Sequence, residues 1–111
     1  EGFDVISGDD GITFPLITLG AVGVISVLGN AFPREFSRMT QLALEGDYVN
    51  ALPIHHQFAE MCNLLFVDGN PAGVKAMLSI MGMVENKLRL PLVPARQITC
   101  EKLSAAWEKI K

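Results

Sequence analysis

FDVISGDDGITFPLITLGAVGVISV, residues 3–27, is the stretch on which the fold turns. It contains two apolar, β-branched runs, FDVIS at 3–7 and GVISV at 23–27. Neither run alternates polar with apolar residues, the pattern of strands covered on both faces in a parallel sheet. Between them, GITFPLITLG at 11–20 carries Ile12, Leu16 and Leu19 at helical spacing, one apolar face. Pro15 falls near the first turn of that helix, where it costs one backbone bond, and Gly20 closes it. A strand, a helix and a strand at this spacing predict a right-handed βαβ unit.

The junction ISGDDG, 6–11, sets two carboxylates between two glycines. Three roles are open to Asp9 and Asp10. Clustered oxygens suit a hard divalent cation, but a polymerase-type GDD hairpin needs a second strand directly after the turn and further acidic partners. A helix pattern follows instead. A general acid–base pair lacks a visible partner. The third role is a turn at a strand end, with Asp10 capping the next helix through its side-chain oxygen and Asp9 facing a pocket mouth. In parallel α/β folds, sites lie at the carboxyl ends of strands, so this turn can line a site without performing its chemistry.

After residue 30 the pattern is helical. Phe32, Phe36, Met39 and Ala43 keep a 3.6-residue period, with Pro33 opening the helix and Gly46 stopping it. A second helix is predicted from about Asp47 to Phe66, with Ala51, Ile54, Phe58, Met61, Cys62 and Leu65 inward and a kink at Pro53. A third spans 71–82, capped by Asn70, with Pro71 in its first position and Val74, Met77, Leu78 and Met81 buried. RLPLVP, 89–94, is expected to be extended because of its two prolines. Thr99 is expected to cap a last helix carrying Leu103, Ala106, Trp107 and Ile110. Two parallel strands do not make a stable sheet alone, so the pattern asks for more strands upstream, and a start at Glu1 fits a piece of a longer protein.

Composition narrows the function. Half of the 111 residues are apolar, enough for a packed core, and the net charge is −3 with no cluster of Lys or Arg, which argues against a nucleic-acid partner. The longest apolar stretch, Ile12 to Leu28, is broken by Pro15, Gly20 and Gly23 and does not read as a membrane span. Cys62 and Cys100 are too few and too far apart for a disulfide scaffold or a zinc knuckle, and read as reduced thiols of a cytosolic protein. No signal-peptide pattern opens the chain.

Other reactive residues have plain structural readings. His55 and His56 point about 100° apart on a helix, which prevents easy ligation of one ion. Lys75, flanked by Val74 and Ala76, invites a Schiff-base role but sits one position off the apolar face, as a snorkelling lysine does. Cys62 lies mid-stripe as a core thiol, and Met61, Met77, Met81 and Met83 read as packing residues. No phosphate loop and no Ser/His/Asp triad can be assembled.

The order of motifs resembles one family. SGDD at a strand end, then LGAVGVISV (19–27), EGD (45–47), NLLFVDGNPAGVKAML (63–78) and LRLPLVP (88–94), is similar to the C-terminal part of the 4-hydroxy-tetrahydrodipicolinate (dihydrodipicolinate) synthases. The resemblance implies the end of a (β/α)8 TIM barrel followed by a helical domain. Residues 1–46 would be the last two β/α units, with strands seven and eight at 3–7 and 23–27, and 47–111 the appended helices. A complete barrel takes roughly 250 residues, so the first six strands would lie outside this chain.

The family implies a lyase. A lysine on the sixth strand forms a Schiff base with pyruvate, and the enamine attacks aspartate semialdehyde on the route to diaminopimelate and lysine. No cofactor and no metal are implied. That lysine and the proton-relay tyrosine would lie outside this chain, which alone would be inactive, and Lys75 does not match the motif. Ile25 matches the residue that touches pyruvate, Gly8 the glycine that opens the strand end, and Asp9 the residue near the pocket mouth. Ser26 and Asn30 stand close by. The family implies a cytoplasmic homotetramer, a dimer of dimers, with Leu16 and Leu19 where the weaker contact is often made. Two alternatives stay open: another aldolase of the superfamily, such as an N-acetylneuraminate lyase or 2-keto-3-deoxy sugar-acid aldolase, or a non-catalytic assembly module.

Overall fold

A computed structural model describes residues 2–111. The chain forms two compact units, one ending at Ala59 and the other running from Glu60 to Lys111.

The first unit contains the predicted parallel pair. Strands β1 (Ile6–Ser7) and β2 (Gly23–Val24) are hydrogen-bonded in parallel, Ile6 opposite Gly23 and Ser7 opposite Val24. They are shorter than the apolar runs at 3–7 and 23–27. Pairing continues one step at each end, where Val22 N–H donates to the Val5 carbonyl and Ile25 N–H to the Ser7 carbonyl, both at 2.9 Å. The expectation of two buried faces fails: Val5, Ile6, Val22 and Ile25 are exposed. The helices that follow β1 and β2 both pack against β2.

The connecting helix is a 3-10 turn, Asp10–Ile12, running into α1 (Thr13–Thr18). Its buried residues are Thr13 and Ile17, one turn apart; Ile12 and Leu19, expected inside, are exposed. The 3-10 start rotates the helix relative to the predicted register, so the small hydroxyl of Thr13 faces inward. A second 3-10 turn, Leu28–Asn30, leads to α2 (Pro33–Leu44), which agrees with its prediction: Phe36, Met39 and Ala43 are buried and Gly46 takes φ +81° after the end. Helix α1 packs on α2. Leu28, Phe32, Met39, Ala51 and Phe58 fill this core, the Phe32 and Phe58 rings lying 5.0 Å apart.

Helix α3 (Tyr48–Leu64) runs through Pro53 as one continuous helix. Asp47 caps it, accepting from Asn50 N–H at 3.3 Å and from the Asn50 side-chain amide at 2.7 Å. Ile54 is half-buried rather than inward.

In the second unit, Met61, Cys62, Leu65, Met77, Leu103 and Ala106 are buried. Helix α4 (Ala72–Ile80) packs on α5 (Gln97–Ile110). Pro71, which has no polar side chain, sits at the N-cap of α4 in place of the expected Asn70, after a cis Asn70–Pro71 bond. Leu78 and Met81 are only half-buried, because Ala72, Gly73 and Ala76 take inward positions beside Val74 and Met77.

RLPLVP is not extended throughout. Leu92 N–H donates to the Arg89 carbonyl at 3.0 Å and closes a turn around the cis Leu90–Pro91 bond. Thr99 does not cap α5. Arg96 holds the N-cap, and Thr99 is buried inside the first turn, where its hydroxyl bonds the Asp68 carboxylate. Asp68 also accepts from Arg96 N–H at 2.8 Å and from the Arg96 guanidinium at 2.7 Å. A residue distant in sequence thus supplies the acceptor that α5 lacks locally.

Candidate functional site

Because β1 and β2 run parallel, their carboxyl ends emerge side by side, and the Gly8–Asp10 loop meets the Ile25–Val27 segment. The capping of the helix start, expected of Asp10, falls to Asp9. Asp9 is the cap: it has extended backbone, and its Oδ1 accepts from Gly11 N–H at 2.8 Å. Asp9 is exposed. Asp10 is 2% exposed, and its Oδ2 accepts from Val27 N–H at 3.0 Å and Leu28 N–H at 2.8 Å. It caps the second 3-10 turn across the sheet, not the helix that follows it in sequence. Its Oδ1 is buried with no partner among the described residues.

A polar cluster supports this loop. The buried hydroxyls of Ser7 and Thr13 lie 2.9 Å apart and 2.9 and 2.8 Å from the Asp9 carbonyl oxygen, so their two protons are shared among these three contacts. Two side chains and one backbone carbonyl thus fix the strand end, and buried polar groups that are bonded in this way specify one conformation.

Ile25 is 76% exposed, with its backbone held to Ser7. Ser26 and Asn30 are occupied within their own turn. Ser26 Oγ accepts from Gly29 N–H at 2.7 Å, and the Asn30 amide donates to the Val27 carbonyl at 3.0 Å. A Cβ at Gly8 would meet nothing within 4 Å, so packing inside this chain does not demand glycine there. Gly8, Asp9 and Ile25 therefore come together on one open rim. They offer an apolar surface and one carboxylate, groups that bind and orient but include no nucleophile. A separate cleft of about 450 Å³ lies between β2 and α2, lined by Gly23, Val24, Ser26, Phe36, Thr40 and Gln41 among others, and includes none of those three.

The remaining candidates make other contacts. His55 packs on Phe14, ring centroids 5.4 Å apart, with His56 at 5.5 Å. Burial, then the neighbouring His56, lowers the pKa of His55 below its ordinary 6.5. No group of three His, Cys, Asp or Glu suited to a metal occurs among the described residues. Lys75 is half-buried in the second unit and lines a cleft of about 420 Å³ with Lys87 and Arg89. Cys62 and Cys100 form no disulfide. No helix of the described residues is long and apolar enough to cross a membrane.

Comparison with known proteins agrees with the motif order. The chain is 76% identical over 109 residues to the 4-hydroxy-tetrahydrodipicolinate synthase of Phocaeicola vulgatus, covering 98% of this chain and 37% of that protein. It is 74% identical over 101 residues to the synthase of Parabacteroides distasonis, covering 91% of this chain and 34% of that one. The crystal structure of dihydrodipicolinate synthase from Aquifex aeolicus superposes with a TM-score of 0.92 at 41% identity, over 98% of this chain and 37% of that one. The Acinetobacter baumannii enzyme, solved in complex with pyruvate, gives 0.92 at 35% identity, over 98% and 38%. The chain thus spans little more than a third of the length of these relatives and corresponds to a C-terminal portion. A model of the dihydrodipicolinate synthetase family matches residues 1–110, and the chain belongs to that family.

Proposed function

We propose that the whole protein is a lyase that condenses pyruvate with L-aspartate 4-semialdehyde through a lysine Schiff base, giving 4-hydroxy-tetrahydrodipicolinate, and that this chain contributes one rim of its pocket. The observation that carries the reading is the rim itself, formed in a chain 76% identical to a synthase. The carboxyl ends of two parallel strands bring Gly8, Asp9 and Ile25 together without a nucleophile. In this reading Ile25 contacts pyruvate, Gly8 leaves room at the strand end and Asp9 stands at the mouth. The nucleophilic lysine and the proton-relay tyrosine lie upstream, on the first six strands. Attack on the pyruvate carbonyl requires a neutral amine, which a desolvated barrel position favours.

Residues 1–46 are then the last two β/α units of the barrel, and 47–111 the appended helices. The exposed apolar residues Val5, Ile6 and Val22 support this, since the strands of a barrel are flanked by neighbouring strands and covered by helices. We further propose a cytoplasmic dimer of dimers, supported by two cysteines that form no disulfide and by Leu19, which is 83% exposed at the end of α1.

The test is borohydride reduction in the presence of pyruvate, read by intact mass. The full-length protein is expected to gain a pyruvyl adduct, and this chain alone is not. An adduct on the isolated chain refutes the placement of the nucleophile; no adduct on the full-length protein refutes the function.

A further inference from the structure

We propose that Asp10 is a positioning residue for the pyruvate-contacting backbone at Ile25, an inference that rests on the proposed function. Ile25 is pinned from two directions. Its own N–H is bonded to Ser7 on β1, and two residues further on Asp10 Oδ2 takes the N–H groups of Val27 and Leu28. The other polar contacts of that segment, Ser26 to Gly29 and Asn30 to Val27, close the turn on itself and do not anchor it to the neighbouring strand end. Asp10 is the side chain that makes this anchor.

Packing does not account for a carboxylate here. Asp10 is nearly inaccessible, and its Oδ1 has no partner among the described residues. Burying such an atom unpaired is unfavourable, and a neutral residue would fill the space at lower cost. The carboxylate provides short, charge-assisted bonds to two successive backbone donors, which hold a loop in one place more firmly than a neutral acceptor does. Asp10 touches no reacting atom in this arrangement; it acts through Ile25.

The experiment uses the full-length protein with the substitutions Asp10→Ala and Asp10→Asn, assayed with pyruvate and aspartate semialdehyde. A displaced binding backbone is expected to raise the pyruvate KM of D10A by about tenfold, with the aldehyde KM changing by less than about threefold. D10N keeps one oxygen within reach of both N–H groups but without charge, and is expected to raise the pyruvate KM by less than D10A does, about threefold. Folded D10A with a wild-type pyruvate KM overturns the proposal, as does a uniform loss of activity that follows the folded fraction. If D10A does not fold, D10N decides: a raised pyruvate KM supports positioning, and a KM equal to wild type overturns it. Borohydride trapping on the wild type separates the two ideas. Without an adduct the proposed function fails and Asp10's role fails with it; with one, only the Asp10 outcome is at stake.

Discussion

Gly73→Ala tests how closely α4 approaches the turn before it. Gly73 is buried, and a Cβ built there would overlap the Leu65 carbonyl oxygen, with the Leu65 carbonyl carbon at 2.6 Å and Cα at 2.8 Å. These are backbone atoms, so no side chain can swing aside. Ordinary contact begins near 3.4 Å, and relieving the overlap with the carbonyl oxygen takes a separation of more than an ångström. A gap of that size forfeits about half or more of each contact's dispersion energy. The residues that would lose it, Leu65 and Met77, are both fully buried. Overpacking of this kind costs about 1–3 kcal/mol, more where backbone must move. Alanine returns about 1 kcal/mol of helix propensity. The expected net loss is about 2 kcal/mol, a fall of roughly 1 M in the urea midpoint of the full-length protein at unchanged slope. At a helical glycine with free space the same substitution raises stability, so the sign is diagnostic. A midpoint equal to or above wild type refutes the close approach.

Two further outcomes follow from ionisation. The Thr99 hydroxyl, then the Arg96 backbone and guanidinium, hold the Asp68 carboxyl below its ordinary 3.8. The unfolded chain therefore binds the proton first, and the stabilisation, fully present above that value, is lost as pH falls beneath it; Asp68→Asn is expected to lower the midpoint at neutral pH and to flatten the acid limb of a urea-midpoint profile, and an unchanged acid limb counts against the cap. His55 is also lowered, so its contribution is complete above 6.5 and declines as pH falls through that value; His55→Phe is expected to remove this decline between about pH 7 and pH 5, and an identical profile in the variant counts against His55 as its source.

The elements of this fold are legible because their signals are local. The period of Phe36, Met39 and Ala43, with Pro33 before and Gly46 after, specifies α2 without reference to any other segment. The caps are legible only where the acceptor lies beside its donor. Asp47 meets that condition for α3. Arg96 does not: it offers no oxygen, and the acceptor for α5 comes from Asp68, 28 positions earlier. Thr99 looks like the cap because threonine suits that role, but it faces the same carboxylate from inside the helix. The strands misled for a related reason. Unbroken apolar runs signal burial on both faces, and the sequence cannot say whether the covering elements belong to these 111 residues.

The rim shows the same limit at closer range. Two adjacent aspartates carry identical local signals, and cap chemistry alone assigns the helix start to the one next to it. What separates them is a contact 17 and 18 residues away, with backbone N–H groups that every sequence position possesses. No residue type marks Val27 or Leu28 as donors, so Asp10 had no visible partner until the parallel register placed the two strand ends together. The inward Thr13 is the trace that the sequence does carry. A hydroxyl four residues after Asp9, one turn from the buried Ile17, makes sense only if a polar strand end lies beneath it. Ile12 and Leu19 then turn outward together, so the register that buries Asp10 is also the one that exposes the apolar edge of α1.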